Sequence, residues 1–448
     1  MPLPPGPNHH PLIQMARWIR NPFTVLEEGQ RSFGDTFSLR LAGLEEPVVI
    51  VSSPEAVKDV FALGADEGHA GKANVVLKPF LGEHSLLLLD GAEHLRQRKM
   101  MLPAFHGERM SAYGRSMIDL AHEAVDRFPL GRPFPAHGPM QSVTLQVIIR
   151  TVFGIGEGPR FAELADVLTR TLQVAAWPGL IFTFMQHDLG PLSPWGRFTR
   201  LAARASELLR STIRAAQAKG TQGRTDVLAM LLDARDEGGR ALSEDEVHDE
   251  LMTLLIAGHE TTATALAWAL RWILPDAPLV RRLRDEIATA GDDPQRIAKL
   301  ELLDATVREA LRLQPIIPMV ARVLQEPAKF GQTALPAGSV VAPAIYLVHR
   351  RPSLYPEPER FNPDRFRTFK PAPWEWLPFG GGLRRCIGAA FAIYEMKMVL
   401  GAMLPRVDAR LATSDVRVSR RSITIAPSGG LPIVVTARRA REAVARAA

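Results

Sequence analysis

The lone thiol of the chain, Cys386, lies in Phe379-Gly-Gly-Gly-Leu-Arg-Arg-Cys-Ile-Gly388, just ahead of an apolar helical run. Three consecutive glycines let the backbone turn tightly and approach something flat and bulky. Cys386 stands at the N-terminus of the following helix, where free N–H groups and the helix dipole favour a thiolate. Arg384 adds a cation able to pair with carboxylates. On these features alone an inert buried thiol stays open, since free cysteine is among the most buried residue types. A second chemical run is Ala257-Gly-His-Glu-Thr-Thr262, which puts Glu260 and Thr261 into an otherwise apolar stretch. Burying a carboxylate is costly unless it is hydrogen-bonded or functional. Gly258 costs about 0.5–1 kcal/mol in a helix, and the small Ala257-Gly258 pair would make room for a ligand. Thr261 can bond back to a carbonyl and loosen the helix locally. Glu309 and Arg312 share one helix face three residues apart. His94 and Arg98, four apart, share another.

The elements that must position these groups are mostly helical. Residues 36–52 alternate around a turn and predict a hairpin, followed by a short helix over 54–63 with Pro54 at its start. Apolar residues at three- and four-residue spacing predict helices over 92–101, 109–127, 139–154, 159–176, 196–219 and 225–234. The clearest helix starts at Ser243, which with Glu246 forms a capping box, and is stopped by Pro275. It runs for about 30 residues against a usual 11–12 and is apolar on most faces after Met252, so it must cross the middle of the protein. Helices near 278–290 and 300–313 follow. After Pro315 short β-like runs (319–324, 339–342, 422–426, 432–436) alternate with Pro and Gly. Residues 350–385 are proline-rich loop, and a last helix follows Cys386 and ends before Pro405. The expectation is one mainly α domain with a small β region spanning 1–448, with an extended segment over 1–20 and a meander and cysteine loop over 350–388.

With 46% hydrophobic and 23% charged residues, the 448-residue chain has ample material for a large core and an apolar cavity. No run approaches the length of a membrane span. The opening MPLPPGPNHH lacks the pattern of a secretory signal. One cysteine forms no internal disulfide, which fits a reducing cytoplasm. The net charge of +6 is carried by scattered basic residues, so nucleic acid is not expected as a partner.

The cysteine run matches Phe-x-x-Gly-x-Arg-x-Cys-x-Gly at every fixed position: Phe379, Gly382, Arg384, Cys386 and Gly388. That is the heme-binding signature of the cytochrome P450 family, and the chain resembles its soluble bacterial type from about residue 30 to 435. The resemblance implies a mainly α triangular prism with a small β region, holding heme b with Cys386 as the iron ligand. Ala257–Thr262 is similar to the family's Ala/Gly-Gly-x-Asp/Glu-Thr-Thr segment, where the acid and the alcohol deliver protons during dioxygen activation; Glu260 and Thr261 take those positions. His259 fills the variable position, as a structural or proton-path residue rather than an iron ligand. Glu309 and Arg312 match the family's Glu-x-x-Arg, and Pro358-Glu-Arg360-Phe361 its meander element, so a structural network Glu309–Arg312–Arg360 is implied. His94, Arg98, Arg322 and Arg384 occupy positions that anchor the heme propionates.

By the same resemblance, Val75, Val76, Leu77, Phe80, Leu86 and Leu87 cover the substrate pocket. Leu255, Ile256 and Ala257 line it from the long helix; Ile316, Ile317, Met319, Val320, Pro427 and Ser428 line it from the far side; and Trp177, Phe182 and Phe184 form its lid. So apolar a lining implies a hydrophobic substrate of the fatty acid, terpenoid, steroid or macrolide-like kind, as in secondary metabolism. Hydroxylation or epoxidation is implied, the alternatives being a peroxygenase, a coupling enzyme or a non-catalytic heme sensor. The chain carries no Gly-rich phosphate loop and no room for a flavin domain. Electrons from NAD(P)H would therefore arrive through a reductase and an acidic ferredoxin, with Arg96, Lys99 and Arg385 as candidate docking charges.

Overall fold

The computed structural model describes residues 3–105, 108–156, 158–181 and 185–441. Its first half begins with α1 (Pro11–Arg20), α2 (Pro22–Phe33), β1 (Thr36–Leu39), β2 (Val48–Val51), α3 (Pro54–Ala62), β3 (Gly68–His69), α4 (Ala70–Ala73) and α5 (Lys78–Leu81). It continues through α6 (Gly91–Met101), α7 (Glu108–Asp126), β4 (Pro133–Pro135), α8 (His137–Phe153), α9 (Pro159–Ala175), α10 (Pro194–Lys219) and α11 (Val227–Asp233). The second half holds α12 (Glu244–Ile273), α13 (Ala277–Ala290), α14 (Pro294–Ile297), α15 (Glu301–Leu313), β5 (Arg322–Leu324), β6 (Ala328–Phe330), β7 (Thr333–Leu335) and β8 (Val340–Pro343). Last come α16 (Ile345–Val348), α17 (Arg365–Thr368), α18 (Ala389–Met403), β9 (Val407–Leu411), β10 (Val418–Arg421), β11 (Thr424–Pro427) and β12 (Pro432–Arg438).

The expectation of an extended segment over 1–20 is corrected. Residues 11–20 are helical, because Pro11 is tolerated in the first turn and the His10 side chain accepts from the Leu12 N–H. The predicted long helix is α12. Ser243 and Glu246 cap it reciprocally, at 3.1 Å from Glu246 N to Ser243 Oγ and 2.7 Å from Ser243 N to Glu246 Oε2. It packs on α8, α15, α18 and α10, so nearly all of its faces are buried. One large core gathers α7, α12, α13, α15 and α18 around residues such as Trp268, Leu303 and Met398. A second joins α8, α9, α10 and the first half of α12.

The sheets are small. One has the order β1-β2-β8-β5-β3, with β2 parallel to β8, and another the order β4-β12-β9. The predicted hairpin over 36–52 pairs Thr36 with Val51 and Leu39 with Val48. The β-like run 422–426 divides: Ser422 and Ile423 form the tip of a separate β10–β11 hairpin in which Arg421 faces Thr424. That hairpin is pinned to the long helix by Trp268 Nε1 donating to the Ile425 carbonyl at 2.8 Å.

Candidate functional site

Cys386 ends the loop that follows the meander and stands three residues before the first residue of α18. Its N–H closes the loop by donating to the Phe379 carbonyl at 2.9 Å. Phe379 itself is wedged into the core edge against the Trp376 ring, with centroids 5.9 Å apart. The glycines serve two purposes. A Cβ on Gly381 would lie 2.7 Å from the Phe61 ring, and one on Gly382, at φ +63°, would lie 2.2 Å from the Phe61 carbonyl oxygen. Those two glycines therefore seat the loop on α3, whereas sequence reasoning assigned them to a flat ligand. A Cβ on Gly380 or Gly388 would meet no atom within 4 Å, so the loop's open side is at those positions.

The Cys386 side chain lies deep within the fold, yet its surface is accessible, because it borders a cavity of about 530 Å3. Leu102, Ile387, Arg98 and Arg385 share that lining. Burial pushes the thiol up, outweighing the Gly388 N–H and the Arg98 and Arg385 charges that favour the thiolate. The expectation that the helix start by itself favours a thiolate is corrected accordingly: desolvation wins unless a metal takes the sulfur. Among the described residues no group of three or more His, Cys, Asp or Glu side chains could hold a metal ion. An iron at Cys386 would thus need most of its ligands from a cofactor.

Around the same site stand four basic side chains. His94 is buried on α6, and burial followed by the charges of Arg384 and Arg98 lowers it to about 3. Its ring is therefore neutral at pH 7 and can donate a hydrogen bond. Arg322 is buried at the start of β5, and burial with Arg384 lowers it to about 10. Arg384 is lowered to about 10 by burial and by Arg98, against the opposing pull of Asp90. Burial also lowers Arg98. Three guanidinium groups thus crowd one another with a single carboxylate, Asp90, as counter-charge. Asp90 was missed from the sequence; it binds Arg384 and accepts from the Gly71 N–H at 2.8 Å. Arg384 also donates to the carbonyls of Leu86, at 3.1 Å, and Leu89. Surplus positive charge in a partly desolvated place calls for an anionic ligand, a need that the two propionates of a heme would meet. Replacing Arg384 by Ala should therefore lower heme retention on gel filtration and leave the apoprotein helical by circular dichroism; full retention would contradict the anchoring role.

In the middle of α12, buried runs on both sides flank an accessible notch at Ala257, with Gly258, Glu260 and Thr261 partly accessible. Thr261 Oγ1 donates to the Ala257 carbonyl at 2.6 Å, the back-bond expected from the sequence. Gly258 does not make room for a ligand: a Cβ there would lie 3.0 Å from Ile148 Cδ1, so glycine lets α12 approach α8. Glu260 turns toward α8 and the hairpin, where Arg421 Nε donates to it at 2.9 Å and Gln141 Nε2 at 2.5 Å. Burial raises its carboxyl, but His137, Arg421 and His259 overcome that and hold it at about 2. His259 is buried and lowered to about 4 by burial, hence neutral at pH 7.

Glu309 and Arg312 are both fully buried and meet in two bonds of 2.7 and 2.8 Å. Arg312 also donates to the carbonyls of His349, at 2.7 Å, and Pro358, at 2.8 Å. The network's expected third member is corrected. The Arg360 guanidinium is exposed and pairs with Glu357 at 3.0 Å, so Arg360 offers Arg312 only its carbonyl. Arg365 takes the place, with Nε 3.5 Å from Glu309 Oε1, while the Asn362 N–H donates to the same oxygen at 3.0 Å.

The substrate candidates differ in exposure. Leu86 is buried in the second core and Pro427 is buried in β11. Phe80 packs on Phe198 of α10, with centroids 4.8 Å apart. Val76, Leu77, Leu87, Ile256, Ile317, Met319 and Val320 are partly buried, Ala257 is exposed, and Phe182 and Phe184 lie outside the described residues. Two of the docking charges are engaged: Arg96 binds Asp236 at 2.6 Å and Glu246 at 2.9 Å, and Lys99 pairs with Glu237. Arg385 is exposed.

The sequence model of the family described as cytochrome P450 matches residues 4–429. A Mycobacterium tuberculosis (strain ATCC 25618 / H37Rv) protein named cytochrome P450 135B1 is 39% identical over 453 aligned positions, covering 100% of this chain and 94% of the relative. From the same strain, cytochrome P450 135A1 is 35% identical, covering 90% of this chain and 88% of its own length. Among solved structures, a retinoic acid-bound cyanobacterial CYP120A1 superposes with a TM-score of 0.85 at 26% identity, covering 98% of this chain and 100% of the other.

Proposed function

The chain belongs to the cytochrome P450 family, and from that premise we propose a monooxygenase that hydroxylates or epoxidises a hydrophobic small molecule, with electrons from NAD(P)H delivered by a reductase and an acidic ferredoxin. The observation that carries this reading is the pairing of an accessible, deeply set Cys386 with the basic group His94, Arg98, Arg322 and Arg384. Heme, when bound, supplies the redox-active iron at which dioxygen is reduced.

The protein's own part is to hold that group and to manage protons. Cys386 would ligate the iron, and Arg98, Arg322, Arg384 and His94 would hold the propionates. Thr261 Oγ1, donating to the Ala257 carbonyl, has its oxygen free to accept, so it can order a proton donor at the notch. Glu260, ionised at working pH, accepts hydrogen bonds and orients them rather than acting as a standing acid. The apolar residues that the family resemblance assigns to the pocket, Ile256, Ala257, Ile317, Met319 and Val320, favour a largely hydrophobic substrate of the fatty acid, terpenoid, steroid or macrolide-like kind. The retinoic acid in the structural neighbour is a hydrophobic ligand of that general kind. For the ferredoxin, the exposed Arg385 beside the Cys386 cavity supports an acidic partner. The single thiol fits a cytoplasmic setting.

The test is a binding screen of those four ligand classes against the heme-loaded protein, read as the shift in iron spin state, followed by turnover with surrogate redox proteins. A ligand that shifts the spectrum should be oxidised. In Thr261→Ala, heme is kept but product per electron should fall on the order of 10²-fold, with the electrons recovered as peroxide. Unaltered coupling would remove Thr261 from the proton path. Ligands that bind while no reducing equivalents are consumed would instead indicate a sensor.

A further inference from the structure

Glu260 is gripped from three elements. From α8 come Gln141 Nε2 at 2.5 Å and His137 Nε2 at 3.5 Å; from β10 comes Arg421 Nε at 2.9 Å; and from its own helix come Thr264 Oγ1 at 3.5 Å and the adjacent imidazole of His259. His137 also meets Thr264 at 3.1 Å, so the contacts form a small closed network. Arg421 reaches this place because its hairpin is fixed at both ends. The stem is tied to α12 through Trp268 and to the segment after α15 through Ile425 N donating to the Ile316 carbonyl at 2.9 Å. At the tip, Ser422 takes a left-handed φ of +53°, a conformation that costs a non-glycine residue energy and persists only where surroundings enforce it. Its N–H donates to the Ala176 carbonyl just past α9 at 3.0 Å, and Arg420 Nε donates to its carbonyl at 2.8 Å. The last residue before that tip is Arg421. A guanidinium on so constrained a strand end is pre-organised, which is how a charged pair gains geometry rather than mere attraction.

We propose that Arg421 is a positioning residue for proton handling, clamping the Glu260 carboxylate against α8. The inference rests on Glu260 having the proton role assigned above. Without Arg421, the carboxylate keeps its burial and loses its one guanidinium, leaving His137 and His259 beside it. Its ionisation then moves up, since burial disfavours the charge, while the His137 hydrogen bond still opposes that rise.

The experiment compares Arg421→Gln, Arg421→Lys and Glu260→Gln, with the double variant, as heme-loaded proteins. In the wild type, product per electron should be flat with pH around neutrality. In Arg421→Gln it should fall as pH falls, roughly tenfold across the two pH units centred on the raised ionisation, and Arg421→Lys should restore the flat profile. Thermal unfolding supplies a readout independent of turnover. A carboxyl depressed from 4.5 to about 2 stabilises the fold above the upper value and loses that contribution as pH falls through the lower one. The drop in melting temperature caused by Arg421→Gln should therefore be full at pH 7, shrink below about 4.5, and be absent in the Glu260→Gln background. A flat product profile in Arg421→Gln, or an equal drop in both backgrounds, would overturn the proposal. Unchanged product yield in Glu260→Gln would overturn it differently, by removing the role it rests on while the unfolding cycle still reported a structural pair.

Discussion

Replacing Glu309 by Ala should destabilise the heme-loaded protein by about 3–5 kcal/mol, the usual cost of removing one partner from a buried ion pair. Native domains have only about 5–15 kcal/mol in hand, so a large fraction of the chain should purify unfolded or without heme. The size follows from the surroundings. Both side chains are fully buried, and Arg312 spends its remaining donors on the His349 and Pro358 carbonyls that hold the meander to α15. Take away the carboxylate and a guanidinium stays in the core with no counter-charge; the Asn362 N–H loses its acceptor at 3.0 Å as well. Arg365 stands 3.5 Å from the same carboxylate and its side chain is nearly buried, so Arg365→Ala should have an intermediate effect. Arg360 pairs with Glu357 in solvent, and exposed pairs contribute about 0–1 kcal/mol. Arg360→Ala should therefore melt close to the wild type. Denaturant unfolding of the three variants checks the order; an Arg360 variant as unstable as the Glu309 one would restore Arg360 to the network.

That contrast shows what the sequence can and cannot carry. Glu309 and Arg312 are legible because both sit on one helix, where three-residue spacing fixes which side chains meet. The third partner comes from a proline-rich meander without periodicity, so order along the chain says little about which arginine turns inward. The long helix was legible through Ser243, Glu246 and Pro275, which are local signals with local causes. α1 was not, because the prolines of the opening mask a helix whose first turn accepts Pro11. Cys386, with its fixed neighbours, was legible as a motif, but the purpose of Gly381 and Gly382 was not, since their neighbour Phe61 lies more than three hundred residues earlier. Arg421 escaped for the same reason. Its partner Glu260 is 161 positions away and only the hairpin brings them together. Asp90 belongs with these, a carboxylate whose importance lies in two arginines from distant segments, Arg322 and Arg384.

Loss of the thiol should have the largest effect on chemistry. Sulfur donation is what distinguishes a thiolate-held heme, pushing electron density onto the iron and favouring O–O cleavage. Cys386 is the one thiol of the chain, so no second thiolate can take its place. The basic ring of His94, Arg98, Arg322 and Arg384 stays in place without Cys386, so some heme should still bind. In Cys386→Ala turnover should vanish, while the fold, whose cores do not include this side chain, should melt near the wild-type temperature.

The decisive measurement is the absorption spectrum of the reduced, carbon monoxide-treated protein, recorded for wild type and Cys386→Ala at equal heme content. The wild type should show the long-wavelength Soret band of a thiolate-ligated heme, and the variant should lose it entirely. A variant that keeps the band, or a wild type that never shows it, would mean that the iron is held by some other atom and that Cys386 is a bystander.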